Sequence, residues 1–121
     1  MNKAIVAQPA AKIAALAGIE LPDGKQLIMV LGDKVGADAP FSGEKLSVVL
    51  AVWKYDTFEQ AIDYVDKLTT YSGKGHSCGI HTSKPERIIE LATRARVSRV
   101  MVNQAQCYAT AAIMITACHL H

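Results

Sequence analysis

Between residues 44 and 103 the hydrophobic period switches repeatedly between two and 3.6, which restricts the folds open to this chain more than any other feature. Lys45-Leu46-Ser47 opens an apolar run through Val48-Val49-Leu50-Ala51-Val52-Trp53, short enough for a buried strand. Residues 57–68 place Phe58, Ala61, Ile62, Val65 and Leu68 on one helical face. Thr57 and Gln60 have capping-box spacing, and Asp63 and Lys67 form an i,i+4 pair. A second strand follows around Cys78-Gly79-Ile80. A helix is predicted over 84–96, with Ile88, Leu91, Ala92 and Ala95 as its stripe, Ser83 and Glu86 as a capping box and Pro85 near its start. Arg99-Val100-Met101-Val102 is the last strand. Strands alternating with helices of this length need crossover connections, so the predicted fold class is α/β with a mostly parallel sheet.

The preceding residues extend this pattern. A helix begins near Pro9 and continues to Ala17, where Gly18 supplies a left-handed cap. Pro22-Asp23-Gly24 is a turn, and residues 26–31 are a continuous apolar run, expected to be a strand buried on both faces. Residues 32–43 hold three glycines and Pro40 and are expected to be an irregular, functional loop. The segment after Gln106 is rich in alanine and lacks turn signals.

With 121 residues, half of them hydrophobic, the chain is expected to form a single domain with a modest core. Thirteen basic residues are interspersed with eleven acidic ones for a net charge of +2, which argues against a nucleic-acid partner. Aromatic residues make up only 6%, so a base-stacking platform is not expected. No apolar run approaches the roughly 20 residues that cross a bilayer, and the first residues lack the long apolar core of a signal peptide. Three cysteines at irregular spacing suit a reducing compartment, so a cytoplasmic location is expected, with no membrane association.

Candidate chemistry is sparse. Cys107 follows a strand and could be exposed as a nucleophile, but nothing local marks it as activated, and an incidental or buried thiol is the expectation. His76, Cys78, Cys118, His119 and His121 are soft metal ligands without the paired spacing of a zinc site, so no metal is expected; His76 and Cys78 are instead expected to face inward with Ile80, and His81 outward with Ser77. The 32–43 loop has no phosphate-binding pattern and carries Asp33 and Asp38, which repel phosphate.

Several of these segments resemble one family. Glu44-Lys45-Leu46-Ser47-Val48-Val49-Leu50 matches at all but one position a Glu-Lys-Leu-Ser-Pro-Val-Leu motif of the CoA-acylating branch of the aldehyde dehydrogenase superfamily; the departure is Val48, where the family has a proline that locks the backbone. Phe58-Glu59-Gln60-Ala61-Ile62 resembles the helix start that follows. Gly75-His76-Ser77-Cys78-Gly79-Ile80-His81-Thr82 is similar to the acylating branch, above all to its sulfoacetaldehyde dehydrogenase type. Arg99-Val100-Met101-Val102-Asn103-Gln104-Ala105 and Ile13-Ala14-Ala15-Leu16-Ala17-Gly18-Ile19 resemble it as well. The resemblance covers residues 9–107, and 108–121 form a divergent tail.

The resemblance implies a partial aldehyde-dehydrogenase-type catalytic domain. The full-length family oxidises an aldehyde to an acyl-CoA with NAD(P) and CoA, through a cysteine that lies upstream of the matched region. For this chain the resemblance implies no catalytic residue and no cofactor of its own, with one candidate cofactor-binding residue. Glu44 matches the glutamate that hydrogen-bonds the nicotinamide ribose, as a carboxylate accepting from a vicinal diol. The expected activity is that of an inactive fragment; the alternatives are a self-associating interaction module and a small-ligand binder. A homo-oligomer is expected, with Val100, Val102 and Ile113 to Ile115 seeking a partner surface.

Overall fold

A computed structural model describes residues 2–107. The expected metal-ligand candidates Cys118, His119 and His121, and the apolar segment around Ile113, lie outside the described residues. The chain divides into two compact units, Met1–Asp56 and Thr57–His121, each taken by itself below. It mixes helices with strands that pair in parallel, as the α/β expectation requires, but the strands form two two-stranded sheets among the described residues.

In the first unit, α1 spans Ala10–Ala17. Pro9 stands one position earlier than expected, as the N-cap, with extended backbone. At the other end Gly18 adopts φ 68°, and the N–H groups of Gly18 and Ile19 bond back to Ala15 and Ala14, so a residue without Cβ closes the helix at little steric cost. Ala10, Ile13 and Ala14 are buried. Strand β1, Ile28–Leu31, pairs in parallel with β2, Val49–Val52, with Met29 opposite Leu50 and Leu31 opposite Val52. The expectation that β1 is buried on both faces is corrected. Burial alternates along it, and Met29 and Leu31 are each 65% exposed. A run of apolar residues reports that a strand can be covered on both faces; only the neighbouring elements decide whether it is.

The second unit carries a hydrophobic cluster. Helix α2, Phe58–Ser72, starts with the predicted capping box: Thr57 Oγ1 accepts from the Gln60 N–H, and Gln60 Oε1 accepts from the Thr57 N–H. It runs one turn further than expected and stops at Gly73. Strand β3, Ser77–Ile80, pairs in parallel with β4, Arg99–Val102, and helix α3, Pro85–Arg94, forms the crossover between them. Ile62 from α2, Ile80 from β3 and Leu91 from α3 are buried together, ringed by Phe58, Val65, Ile88, Ala95, Val100 and Val102. Burying each such aliphatic side chain contributes about 1.5–3 kcal/mol. Val100 and Val102, expected to seek a partner surface, pack at home in this cluster.

Two details of α3 differ from expectation. Lys84 is its N-cap and no side chain caps it, so the Ser83–Glu86 box does not form; Thr82 Oγ1 instead accepts from the Lys84 N–H. Ala92, placed on the apolar stripe, is exposed. Arg94 reaches from α3 to Glu59 and Asp63 on α2 and to Glu90 on its own helix, at 2.6, 3.7 and 3.4 Å. Arg96 pairs with Asp66. All of these groups are substantially exposed, so they orient the two helices more than they stabilise them.

Candidate functional site

Glu44 lies in the first unit, on the segment that leads into β2, and its position is set by the loop before it. That loop is more ordered than its glycines suggest. Pro40–Ser42 form a 3-10 turn, and a bridge joins Gly36 to Ala39. Ser42 is the buried polar residue at its centre: its Oγ donates to the Ala39 carbonyl at 2.6 Å and accepts from the Gly36 N–H at 2.9 Å. The N–H groups of Ala39, Ser42 and Gly43 bond to carbonyls within the same loop. Four of the loop's N–H groups, those of Gly36, Ala39, Ser42 and Gly43, are therefore spent within the loop.

The loop's apolar anchor is an aromatic pair. Phe41 and Trp53 stack with ring centroids 6.1 Å apart and an interplanar angle of 17°. Trp53 Nε1 donates to the Lys34 carbonyl at 3.1 Å. Both rings press on Gly32 at the end of β1. A Cβ there would stand 2.6 Å from Trp53 Nε1 and 2.7 Å from Phe41 Cε2. Gly32 is thus required by close approach.

Lys45, next to Glu44, turns away from solvent. Its Nζ donates to the carbonyls of Phe41 at 2.5 Å and Gly43 at 2.8 Å, and burial holds its pKa below the usual lysine value. Leu46 follows with φ 46°, a left-handed conformation that an L-residue adopts only when its surroundings impose it, and its carbonyl accepts from the Ala7 N–H at 2.9 Å. Ser47 Oγ is buried with no hydrogen-bond partner among the described residues. The backbone on both sides of Glu44 is therefore held by Lys45 and by the Ala7–Leu46 bond, although Val48 lacks a proline's fixed φ. Glu44 itself is exposed. A carboxylate presented in this way from a held backbone can accept two hydroxyl hydrogen bonds.

The other candidates do not assemble into a centre. His76 is exposed, contrary to the expectation that it faces inward; it precedes β3, and its Nδ1 lies 2.8 Å from Ser77 Oγ. Cys78 does pack on the cluster, and burial pushes its thiol pKa up, away from the reactive thiolate. Cys107 is exposed beyond β4, and neither described cysteine is in a disulfide. His81 is exposed, as expected. No group of three metal-ligating side chains occurs among the described residues. Two shallow depressions, of about 320 Å³ beside α1 and about 400 Å³ around His76 and Arg99, are not lined by Glu44. No helix of the described residues is long and apolar enough to cross a membrane.

Sequence reasoning singled out Glu44 as a candidate and gave no sign of the residues that hold its segment. Lys45 looks like an ordinary surface lysine, and Ser42 looks like a loop polar residue. Gly32 and Trp53 are 21 positions apart, and nothing local links them.

Among characterised proteins, the chain is 45% identical over 105 residues to the acylating sulfoacetaldehyde dehydrogenase of Cupriavidus necator, a match that covers 85% of this chain and 21% of that protein. It is 36% identical over 104 residues to the acetylating succinate-semialdehyde dehydrogenase of Clostridium kluyveri, covering 86% of this chain and 23% of the relative. Among solved structures, a probable aldehyde dehydrogenase from Listeria monocytogenes superposes with a TM-score of 0.82 at 36% identity, over 89% of this chain and 24% of that one. An acetylating aldehyde dehydrogenase from Geobacillus thermoglucosidasius gives 0.82 at 32% identity, over 90% and 25%. No family model matches the chain. It spans between a fifth and a quarter of the length of these relatives.

Proposed function

We propose that this chain, a member of the aldehyde dehydrogenase superfamily that corresponds to one segment of its CoA-acylating branch, is a fragment of an NAD(P)-dependent, CoA-acylating aldehyde dehydrogenase and does not catalyse that reaction alone. The observation that carries the reading is the shape of the match: high identity along most of this chain, confined to a fifth of the Cupriavidus necator relative. The Cys78 thiol supports it. A thiohemiacetal step needs an activated thiolate, and burial pushes the Cys78 thiol the wrong way.

In this reading Glu44 is the cofactor-binding residue. A nicotinamide nucleotide, when bound, would supply the hydride acceptor. Glu44 would hold a ribose diol through two accepted hydrogen bonds, and Lys45 would keep the backbone beside it in place. The test uses the purified chain with NAD(P), CoA and small aldehydes. No acyl-CoA should form, and turnover abolished by Cys107→Ala would refute the reading. Titration with NAD separates an inert fragment from a small-ligand binder, whose affinity Glu44→Gln would weaken.

A second reading is a self-associating module. Among the described residues each sheet has two strands, whose outer edges another copy could extend. Sedimentation equilibrium of the chain alone decides it: a monomeric mass across the concentration range removes this reading.

A further inference from the structure

His76 is exposed, yet it is held more firmly than a surface histidine needs to be. Gly75, at φ 97°, turns the chain into it, and the Gly75 N–H bonds to the Arg96 carbonyl at 3.0 Å. The His76 carbonyl accepts from both the N–H and the Oγ of Ser98, at 3.0 and 2.5 Å. The ring is held as well. Its Nδ1 lies 2.8 Å from Ser77 Oγ, and Gln106 Nε2 donates to that same Oγ at 2.6 Å. Gln106 comes from beyond β4 and reaches Ser77 across Gly79. Ser77 and Gly79 share the face of β3 opposite Cys78 and Ile80. A Cβ on Gly79 would stand 2.8 Å from Gln106 Oε1, so the bare backbone of Gly79 is the floor on which the Gln106 side chain lies.

The direction of these hydrogen bonds follows from what each atom can give. Ser77 Oγ accepts from Gln106, and that bond polarises the hydroxyl's single proton and makes it a better donor. The acceptor within range is His76 Nδ1. A neutral imidazole that accepts at Nδ1 carries its proton on Nε2 and offers an N–H there, with no lone pair. His76 lines a depression of about 400 Å³ with Gly75, Ser77, Ser98 and Arg99, a rim that adds a guanidinium charge. We propose that Ser77 and Gln106 are positioning residues that hold His76 with its proton on Nε2, and that this depression is a donor site for an oxyanion. In that state His76 binds an oxygen and does not act as a base at Nε2. The site lies in the second unit and depends neither on Glu44 nor on whether the chain is a fragment.

The experiment is ¹⁵N NMR of the full chain labelled at histidine. It is recorded at about pH 9, where imidazole is neutral, with the exposed His81 as internal reference. His76 should show a protonated Nε2 and an unprotonated Nδ1. Ser77→Ala should lower the ratio of Nε2–H to Nδ1–H by about two- to tenfold, the worth of one hydrogen bond. Gln106→Ala should lower it in the same direction. Gly79→Ala should reproduce Gln106→Ala, because its methyl meets the movable end of that side chain, while the Met101 atoms stay 3.6 Å or more away. Combining these two substitutions should add nothing, since they break the same bond. Gly79→Ala leaves every polar group in place, so it decides the matter even if Ser77→Ala unfolds. Inorganic phosphate titrated into the parent should move the His76 ring signals and leave those of His81 in place. A parent His76 protonated on Nδ1 would overturn the proposal. So would a ratio that Gly79→Ala and Gln106→Ala leave unchanged, or phosphate that moves both histidines alike or neither.

Discussion

Replacing Gly32 with alanine tests whether the loop before Glu44 is organised by aromatic packing. The methyl group would stand 2.6 Å from Trp53 Nε1, 2.9 Å from Trp53 Cε2 and 2.7 Å from Phe41 Cε2. Ring atoms are not flexible ends, so the Phe41–Trp53 stack or β1 must move. Overpacking of this kind costs about 1–3 kcal/mol. Displacing Trp53 also loses its bond to the Lys34 carbonyl, about 1 kcal/mol more. Gly32 is not in the left-handed region, so no backbone penalty is added. The sum, about 2–4 kcal/mol, lowers the melting temperature of a unit this small by at least about 10 °C. Trp53 is the chain's one tryptophan, so its fluorescence reports this region alone, and far-UV circular dichroism provides an independent probe. The variant should unfold at lower denaturant, with red-shifted native emission. Adding Phe41→Leu should recover part of the loss by removing one clashing ring. An unchanged midpoint and emission for Gly32→Ala would refute the packing argument and, with it, the claim that this glycine is needed for close approach.

Val65→Asp should destabilise by about 2–4 kcal/mol, because Val65 packs on the Ile62–Ile80–Leu91 cluster and its replacement buries an unpaired carboxylate. Asp66→Ala removes only an exposed pair with Arg96, and its melting curve should nearly overlay the parent's; equal losses would contradict the helix phase. Acid should weaken the second unit. The hydrogen bond from Arg94 lowers the pKa of Glu59 from its ordinary 4.5, and that from Arg96 lowers the pKa of Asp66 from 3.8. Groups with depressed folded-state values contribute fully above those ordinary values and lose their contribution as pH falls below them. Thermal melts between pH 6 and pH 2 should show a fall that begins near pH 4.5 and shrinks in Glu59→Gln; added salt should also reduce it.

The helices were legible because their determinants are local. The Thr57–Gln60 box closes across one turn, the α2 stripe repeats within the same element, and Gly18 ends α1 with bonds to residues three and five positions back. The α3 box shows the limit of even this locality. Ser83 and Glu86 have the required spacing, but the helix begins at Pro85, so Lys84 occupies the cap and Ser83 is one residue too early. Glu44 is a candidate only through its resemblance to a known motif, since an exposed glutamate before a strand carries no signal of its own.

Tertiary structure decided what depends on distant partners. Apolar character alone could not say which face of β1 is covered; pairing with β2 placed Met29 and Leu31 with Leu50 on the bare side. Nor could local pattern show that Lys45 turns inward to loop carbonyls, or that Gly32 lies beneath two rings contributed by residues 41 and 53. Periodicity records the preference of each side chain for water or apolar surroundings. The identity of its neighbour is settled only when segments far apart in the chain compete for the same space.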